Sequence, residues 1–304
     1  MNTNSTAIPL ARGERALVLG GGGSTGNAWL IGVLAGLADA GLDVTTADLT
    51  VGTSAGSTAA AQTAGAPPTR LYADILDAPA PDVHRPAGRA PSGQVADHLD
   101  RMNAIIAASS GPADFRRRIA ETALDLEAAS DGSASARWRA IVATRLPSPD
   151  WPERDMLITA LDARTGEPVV FDRRSGVALV DAVAASCSNG FGVPPYRIGG
   201  GRYLDGGYRS NAENADLATG YERVLVLSPF GGRSLHPVEW GTHLAAQVDA
   251  LRAGGSRVET IVPDPESEHL FGANAMNAGA RPAAARAGHE RGARLAERIA
   301  ELWS

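Results

Sequence analysis

The feature that most constrains the fold is an apolar run at 47–51 that leads into Gly-Thr-Ser-Ala-Gly at 52–56, with small, helix-compatible residues following. A strand, a sharp turn and a helix carrying Gly-x-Ser-x-Gly form the context in which the serine is a nucleophile. The turn holds Ser54 in a strained, exposed position, and Gly52 and Gly56 leave room for the close crossing of strand and helix. Alone, such a short motif also fits a glycine-rich turn with a solvated serine.

A second junction of strand, glycine loop and helix lies upstream of the first. Apolar residues at 16–19 run into Gly-Gly-Gly-Gly-Ser-Thr-Gly at 20–26, and a helical pattern with a plausible stop at Gly41 follows. The loop fits Gly-x-Gly-x-x-Gly, which would indicate a dinucleotide site, but the next strand does not end in the acidic residue that binds ribose. Bare N–H groups at a helix N-terminus bind any developing negative charge, so the loop equally suits an oxyanion hole beside Ser54.

Composition limits the classes of function. The 304 residues are 44% hydrophobic and 20% charged, as in globular proteins, and the net charge of −6 argues against a nucleic-acid partner. A single cysteine, Cys187, excludes an internal disulfide and a cysteine-based zinc cluster, and it is best interpreted as a small buried thiol. No calcium or other metal motif is present, so we expect neither a metal nor another cofactor.

The sequence shows no pattern typical of a targeting signal. The N-terminus is polar and lacks the apolar core of a signal peptide, and no run reaches the ~18 apolar residues of a membrane span. All 28 basic residues are arginine, which together with the abundant alanine and glycine suggests a GC-rich bacterial genome. We therefore expect a cytoplasmic bacterial protein without a transmembrane segment.

The rest of the chain predicts one domain over 1–304 with an α/β alternation. A flexible N-terminus is expected at 1–15, a helical insertion or lid at about 78–150 that opens with a proline-rich loop, and a C-terminal helix at about 279–304. Further elements are expected as strands at 156–161, 169–171, 224–227 and 258–262, and as helices at 69–76, 179–185 and about 239–253.

A carboxylate follows the short apolar stretch 202–204. Asp205-Gly206-Gly207 is by itself a strong turn signal. Serine needs a base within hydrogen-bond reach to become a good nucleophile, and a shielded Asp205 could take its proton directly. Neighbouring parallel strands would bring the glycine loop and Ser54 to the same carboxyl edge of the sheet, where open α/β folds place their sites.

The stretches 21–26, 52–56 and 205–207 resemble, in order, the three motifs of the patatin-like phospholipases, and the resemblance runs from about Ala16 to Leu227 with a weak centre between Leu71 and Arg154. It implies a three-layer α/β/α fold with a mainly parallel central sheet. It also implies lipid acyl hydrolase activity on a lipid or other acyl ester, with transient contact at a membrane surface. The residues it implies are a Ser54–Asp205 dyad, the oxyanion donors Gly22 and Gly23, and the supporting motif positions Gly21, Ser24, Thr25, Gly26, Gly52, Gly56, Gly206 and Gly207.

Two positions depart from that family's pattern. Thr25 stands where the family usually carries Arg or Lys, so a basic contact to an anionic head group or to the local structure is missing. Gly190 stands where the family tends to place a proline, which predicts a looser loop before Asp205. The insertion's apolar stripes are expected to pack in the core or, as a unit, to form an acyl-chain pocket or a lid.

Two other classes stay open at this point. An α/β-hydrolase uses the same serine motif with partners in the order Ser, Asp or Glu, His, and His236, His243, His269 or His289 could complete it. Against this class, a single strand precedes the serine strand, where that fold needs several. A non-enzymatic protein could use the glycine loop to bind a nucleotide or phosphate.

Overall fold

The computed structural model describes residues 13–79, 92–128, 133–190 and 192–304, and within these ranges eight strands form one mixed sheet. Their order across the sheet is β5-β6-β3-β2-β1-β7-β8, with β4 paired to β3. The strands are β1 (Arg15–Leu19), β2 (Leu49–Gly52), β3 (Asp155–Asp162), β4 (Pro168–Phe171), β5 (Tyr196–Ile198), β6 (Gly201–Asp205), β7 (Arg223–Leu227) and β8 (Arg257–Ile261).

The centre of the sheet is parallel and its far edge is antiparallel. Strands β3, β2, β1, β7 and β8 pair in parallel, whereas β4, β5 and β6 form antiparallel pairs. The chain moves outward from β1 to β3 and later returns to lay β7 on the other side of β1. Such a reversal opens a crevice at the carboxyl ends of the strands, which is where α/β sheets bind ligands.

Helices cover both faces of this sheet because the strand residues alternate between two cores. In β1, Leu17 and Leu19 enter one buried cluster while Ala16 and Val18 enter the other. The three-layer α/β/α fold and its mainly parallel sheet are therefore confirmed. The helices are α1 (Gly23–Asp39), α2 (Ala55–Gly65), α3 (Pro68–Asp77), α4 (Ser92–Ala107), α5 (Pro112–Ala128), α6 (Ala134–Ala143), α7 (Leu179–Ser186), α8 (Leu244–Ala253) and α9 (Arg281–Trp303).

The helix that follows the glycine loop is held by α9 in a backbone-to-backbone contact. A Cβ atom at Gly32 of α1 would lie 2.1 Å from the Ala285 carbonyl oxygen, and one at Gly288 of α9 would lie 2.2 Å from the Trp29 carbonyl oxygen. Gly36 and Gly292 repeat the arrangement one turn further on. Glycines four residues apart let two helices approach this closely, so the spacing of these glycines in the sequence already favours this pairing.

The predicted helical insertion divides between two parts of the molecule. Helices α4 and α5 form a separate apolar cluster against β3 and β6, in which Phe115 and Ile119 contact the side of Leu204. Helix α6 instead packs on α7, where the Trp138 indole N–H donates to the Ala184 carbonyl oxygen at 3.0 Å. The insertion is therefore not one unit, and α4 with α5 is the part that lies near the predicted dyad strand.

Three further boundaries differ from the expectations. Strand β1 begins at Arg15. The backbone N–H groups of Glu14 and Arg15 both donate to Asp48, so the end of the N-terminal segment predicted to be flexible is held by hydrogen bonds. Residues 1–12 lie outside the described residues. Most of the proline-rich loop, 80–91, also lies outside them. The helix predicted from about 239 begins at Leu244, because Gly241 adopts a left-handed conformation that ends a short 3-10 turn.

Candidate active site

Ser54 occupies a strained turn between β2 and α2. Its backbone has φ 52° and ψ −115°, a region that non-glycine residues rarely adopt and that is retained where surrounding structure enforces it. A Cβ at Gly56 would lie 1.9 Å from the Leu19 carbonyl oxygen, and one at Gly52 would lie 2.7 Å from the Cα atom of Ser57. The structure thus accounts for both glycines of the motif as points of close backbone crossing.

The end of α7 anchors this turn. The Ser54 backbone N–H donates to Ser186 Oγ at 2.9 Å, and Cys187 Sγ donates to the Ser54 carbonyl oxygen at 3.2 Å. Burial raises the pKa of the Cys187 thiol to about 11, so it stays protonated and acts as a donor. Nothing in the sequence marked Ser186 or Cys187 as supports of Ser54, because the contact spans more than a hundred positions.

The glycine loop begins α1 close to Ser54. Gly22 precedes the helix and Gly23, with φ 66°, is its first residue. A Cβ at Gly21 would lie 3.5 Å from the Cβ of Ser54, and the Gly21 N–H donates to the Ala212 carbonyl oxygen at 2.8 Å. Within the part of the chain that the structure describes, the N–H groups of Gly22 and Gly23 have no hydrogen-bond partner, which leaves them able to bind an anion.

The segment before α9 closes over the start of α1. The Thr25 N–H donates to the Ala275 carbonyl oxygen at 3.0 Å, and a Cβ at Gly23 would lie 2.8 Å from that same oxygen. Thr25 is fully buried, and it is Arg281 of α9 that brings a guanidinium to the loop, donating to the Ser24 carbonyl oxygen at 2.7 Å. A basic group therefore contacts this loop although Thr25 is not basic.

Asp205 ends β6 beside Ser54. One carboxylate oxygen accepts the Gly207 N–H at 2.8 Å, and the carboxylate also interacts with the Ser54 side chain. The Asp205 side chain is only partly exposed, and its burial by the surrounding protein raises its pKa to about 6. The interactions with Gly207 and Ser54 lower the pKa, so burial is the dominant effect.

A buried polar network connects the two motifs. The hydroxyls of Thr53 and Thr159 share a hydrogen bond of 2.9 Å, and Asn214 Nδ2 donates to Thr53 Oγ1 and to the Gly206 carbonyl oxygen, both at 3.0 Å. A Cβ at Gly206 would lie 2.0 Å from Thr159 Oγ1. Gly206 is therefore required for packing on β3. Because Thr53 precedes Ser54 and Gly206 follows Asp205, the network sets their relative position.

The loop before Asp205 is packed at Gly190. This glycine has φ 80°, which proline cannot adopt, and a Cβ there would lie 2.8 Å from Ala123 of α5. The Asp205 N–H donates to the Ser188 carbonyl oxygen at 2.8 Å. The prediction of a looser loop at Gly190 finds no support in these contacts.

The four histidines considered from the sequence bond elsewhere. His236 Nδ1 lies 2.9 Å from Thr242 Oγ1, and His243 Nε2 lies 2.7 Å from the His236 carbonyl oxygen. His269 bonds the Glu266 carbonyl oxygen, and His289 bonds Asp39. Among the described residues, then, the hydrogen bonds of these histidines do not reach Ser54 or Asp205.

An apolar cavity of about 240 Å³ adjoins the dyad. Gly207 and Ala212 line it on the side of Asp205 and the glycine loop. Helices α4 and α5 and the segment after β7 supply its apolar walls, through Met102, Ile106, Phe115, Phe230, Leu235 and His236. His236 lies against Phe115 with ring centroids 4.7 Å apart.

Fold and site together define an α/β protein with a serine on a strained strand-to-helix turn, a hydrogen-bonded aspartate and a glycine loop at one edge of the sheet. Within the described residues no cluster of His, Cys, Asp and Glu could hold a metal ion. The model of the patatin-like phospholipases matches residues 17–216, and the chain belongs to this family. Membership supports a lipid hydrolase function in general.

Solved structures of similar fold are distant in sequence. VipD from Legionella pneumophila is 13% identical with a TM-score of 0.43, and the match covers 95% of this chain and 67% of VipD. ExoU from the type III secretion system of Pseudomonas aeruginosa, solved with SpcU, is 16% identical with a TM-score of 0.40, and this chain spans 53% of it. No curated protein sequence matches the chain. In the described ranges, no helix is both long enough and apolar enough to cross a membrane.

Proposed function

We propose that this protein is a serine acyl hydrolase that cleaves carboxylic esters of lipids through an acyl-Ser54 intermediate, with Asp205 as the only proton carrier. The observation that carries the proposal is the interaction of the Ser54 side chain, on its strained turn, with a carboxylate whose pKa burial raises to about 6. A base of that pKa is ionised at neutral pH and still holds a proton well enough to pass it on.

In the first half-reaction Ser54 Oγ attacks the ester carbonyl carbon while its proton moves to Asp205. The carbonyl oxygen becomes an oxyanion, which accepts hydrogen bonds from the N–H groups of Gly22 and Gly23; these groups have no other partner among the described residues, which supports this role. Collapse of the tetrahedral intermediate breaks the ester bond, and the departing alcohol takes the proton from Asp205. Water then repeats the sequence on the acyl-Ser54 ester, giving the carboxylic acid and free Ser54.

The test combines covalent labelling with hydrolysis of a p-nitrophenyl ester. Wild-type protein should react with a fluorophosphonate at Ser54, whereas Ser54→Ala should not react and should lose most of the rate enhancement, on the order of 10⁶-fold. Asp205→Asn keeps the shape but removes the base, so its rate should fall by about 10²–10⁴-fold or more. Both variants should unfold at the temperature of the wild type or above it.

The sharpest control is His236→Phe. His236 lies in an aromatic cluster with Phe115 and Trp240 and lines the cavity beside Gly207, so a phenylalanine preserves its packing. The dyad mechanism predicts less than a tenfold loss of activity. If a folded His236→Phe protein lost about a thousandfold of its hydrolytic activity, a mechanism with a histidine triad would replace the dyad. A wild-type protein that neither labels nor hydrolyses, yet binds a nucleotide, would favour the non-enzymatic alternative. Transient contact with a membrane surface stays a prediction from the sequence.

A further inference from the structure

We propose that the cavity between α4, α5 and the segment after β7 binds the acyl chain of the ester and accepts one chain of about eight to ten carbons. This inference rests on the function proposed above, because it names the acyl group that the Ser54 site would receive. It is argued from the position of the cavity, its size and the chemistry of its walls.

The cavity is lined by residues that contact Asp205 and the glycine loop. Gly207, which lines it, donates its N–H to Asp205 at 2.8 Å. Ala212, also in the lining, accepts the Gly21 N–H at 2.8 Å, and Gly21 in turn adjoins Ser54. Phe230 lines a third side, and its neighbour Pro229 would lie 2.7 Å from a Cβ at Gly22. One motif residue, Gly207, therefore lines the cavity, and Ala212 and Phe230 connect it to the glycine loop.

The far wall is apolar and belongs to the insertion. Met102 and Ile106 stand one turn apart on α4, and Phe115 of α5 is almost fully buried behind them. Leu235 is half exposed at 51%, so its side chain lies at the opening. The lining also includes Tyr208, Ser210, Asn211 and Ser234, but its surface is mostly apolar, so it matches the hydrocarbon part of an ester.

The two ionisable groups in the wall, Tyr208 and His236, do not change this character at neutral pH. Burial raises the pKa of the Tyr208 phenol, so it stays uncharged. Burial lowers the pKa of His236 to about 4, and the neighbouring His243 acts in the same direction. The imidazole is therefore neutral above that pH. Its Nδ1 bonds Thr242 and its ring contacts Phe115 and Trp240, so it contributes an aromatic surface.

The volume sets the length of chain. An apolar cavity of about 150 Å³ holds one benzene molecule, so 240 Å³ corresponds by proportion to about ten carbons. Pockets for drug-sized ligands begin near 300 Å³, so a second acyl chain would not fit beside the first. A lipid with two chains would have to leave one of them outside.

The experiment measures kcat/KM for p-nitrophenyl esters from the acetate to the palmitate. Each methylene buried in the cavity should raise kcat/KM by about fourfold, until the rise stops between eight and ten carbons. A rise that continues to sixteen carbons, or one that ends at four, would overturn the inference.

Variants of Met102 assign the limit to the cavity. Met102→Trp should end the rise at a shorter ester, and Met102→Ala should move it to a longer one. The matched control is Leu99→Trp, which places the same bulk on the exposed side of α4, where Leu99 is 43% exposed and does not line the cavity. The control should keep the wild-type profile.

Hydrolysis of the acetate separates the two proposals, because that ester does not reach the far wall. Acetate hydrolysis in every variant, with a length profile that neither Met102 substitution moves, would reject the cavity as the acyl site and leave the proposed function standing. Absence of acetate hydrolysis and of Ser54 labelling in the wild type would reject the proposed function itself.

Discussion

The junction at the carboxyl ends of β1 and β2 and the wall formed by α4 and α5 are built on opposite packing principles. At the junction, backbone meets backbone, and a Cβ at Gly56 would lie 1.9 Å from the Leu19 carbonyl oxygen. In the wall, side chains such as Met102 and Phe115 pack against one another. A backbone contact admits glycine alone, whereas a side-chain contact admits many apolar residues of suitable volume. The proposed chemistry therefore depends on positions where few residues are tolerated, whereas the proposed selection of acyl-chain length depends on positions that tolerate substitution.

Among the glycine substitutions at the junction, Gly23→Ala has the largest expected effect. The added Cβ would meet the Ala275 carbonyl oxygen and displace the N–H groups proposed to bind the oxyanion, and loss of one such donor costs about 10²–10³ in kcat, or ~3–4 kcal/mol. Steady-state kinetics should show this loss in kcat with a smaller change in KM.

The control for this variant is Gly41→Ala. Gly41 also has a positive φ, of 86°, but nothing lies within 4 Å of a Cβ there. It carries the same kind of backbone strain without the collision, and its kcat should stay near that of the wild type. Equal losses in the two variants would show that strain, and not displaced donors, explains the effect.

A smaller effect is expected from Gly32→Ala, which tests backbone packing away from the site. The methyl group would force α1 and α9 apart, since it would lie 2.1 Å from the Ala285 carbonyl oxygen. Overpacking of this kind lowers the free energy of unfolding by about 2–3 kcal/mol. Urea denaturation measures it. The control is Gly111→Ala, where the Cβ meets nothing within 4 Å and stability should change by less than about 1 kcal/mol. If Gly32→Ala lost no more stability than this control, α1 and α9 would be able to separate easily.

The smallest expected effect is a pH dependence that distinguishes the junction from the wall. The pKa of Asp205 is raised to about 6 and its ionised form is the base, so kcat/KM should be flat near pH 8 and fall tenfold per unit below about pH 6. With the ordinary pKa of an aspartate, about 3.9, activity would persist below pH 6, and the burial of Asp205 moves this limb to higher pH. His236, whose pKa is about 4, should not contribute, so His236→Phe should keep the same limb. If the acidic limb of the kcat/KM profile moved to a different pH in His236→Phe, His236 would be the titrating base.

Much of the architecture followed from local patterns. The strand at 16–19, the serine turn and the strand at 224–227 were predicted because short apolar runs can be recognised without knowledge of their neighbours. The start of α8 was predicted too early, since the left-handed Gly241 interrupts a pattern that is otherwise helical. The division of the insertion between two cores was not foreseen, because apolar stripes do not identify the surface on which they pack.

The sequence by itself determined which residues can carry the chemistry. The motif at Gly52, Ser54 and Gly56 can be recognised from the sequence because the close crossing of strand and helix requires glycine on both sides of the strained serine turn. What holds Ser54 and Asp205 in place depends on partners far away in the chain: Ser186 and Cys187 at the turn, and Asn214 between the two motifs. Ordinary polar residues make these contacts, so nothing local distinguishes them from solvated ones.

The raised pKa of Asp205 and the cavity beside it were likewise decided by the tertiary structure alone. Burial of a carboxylate is a property of everything packed around it, and a cavity is the space that several elements leave between them. Composition and spacing describe single segments of the chain, so they cannot predict the pKa of Asp205 or the volume of the cavity.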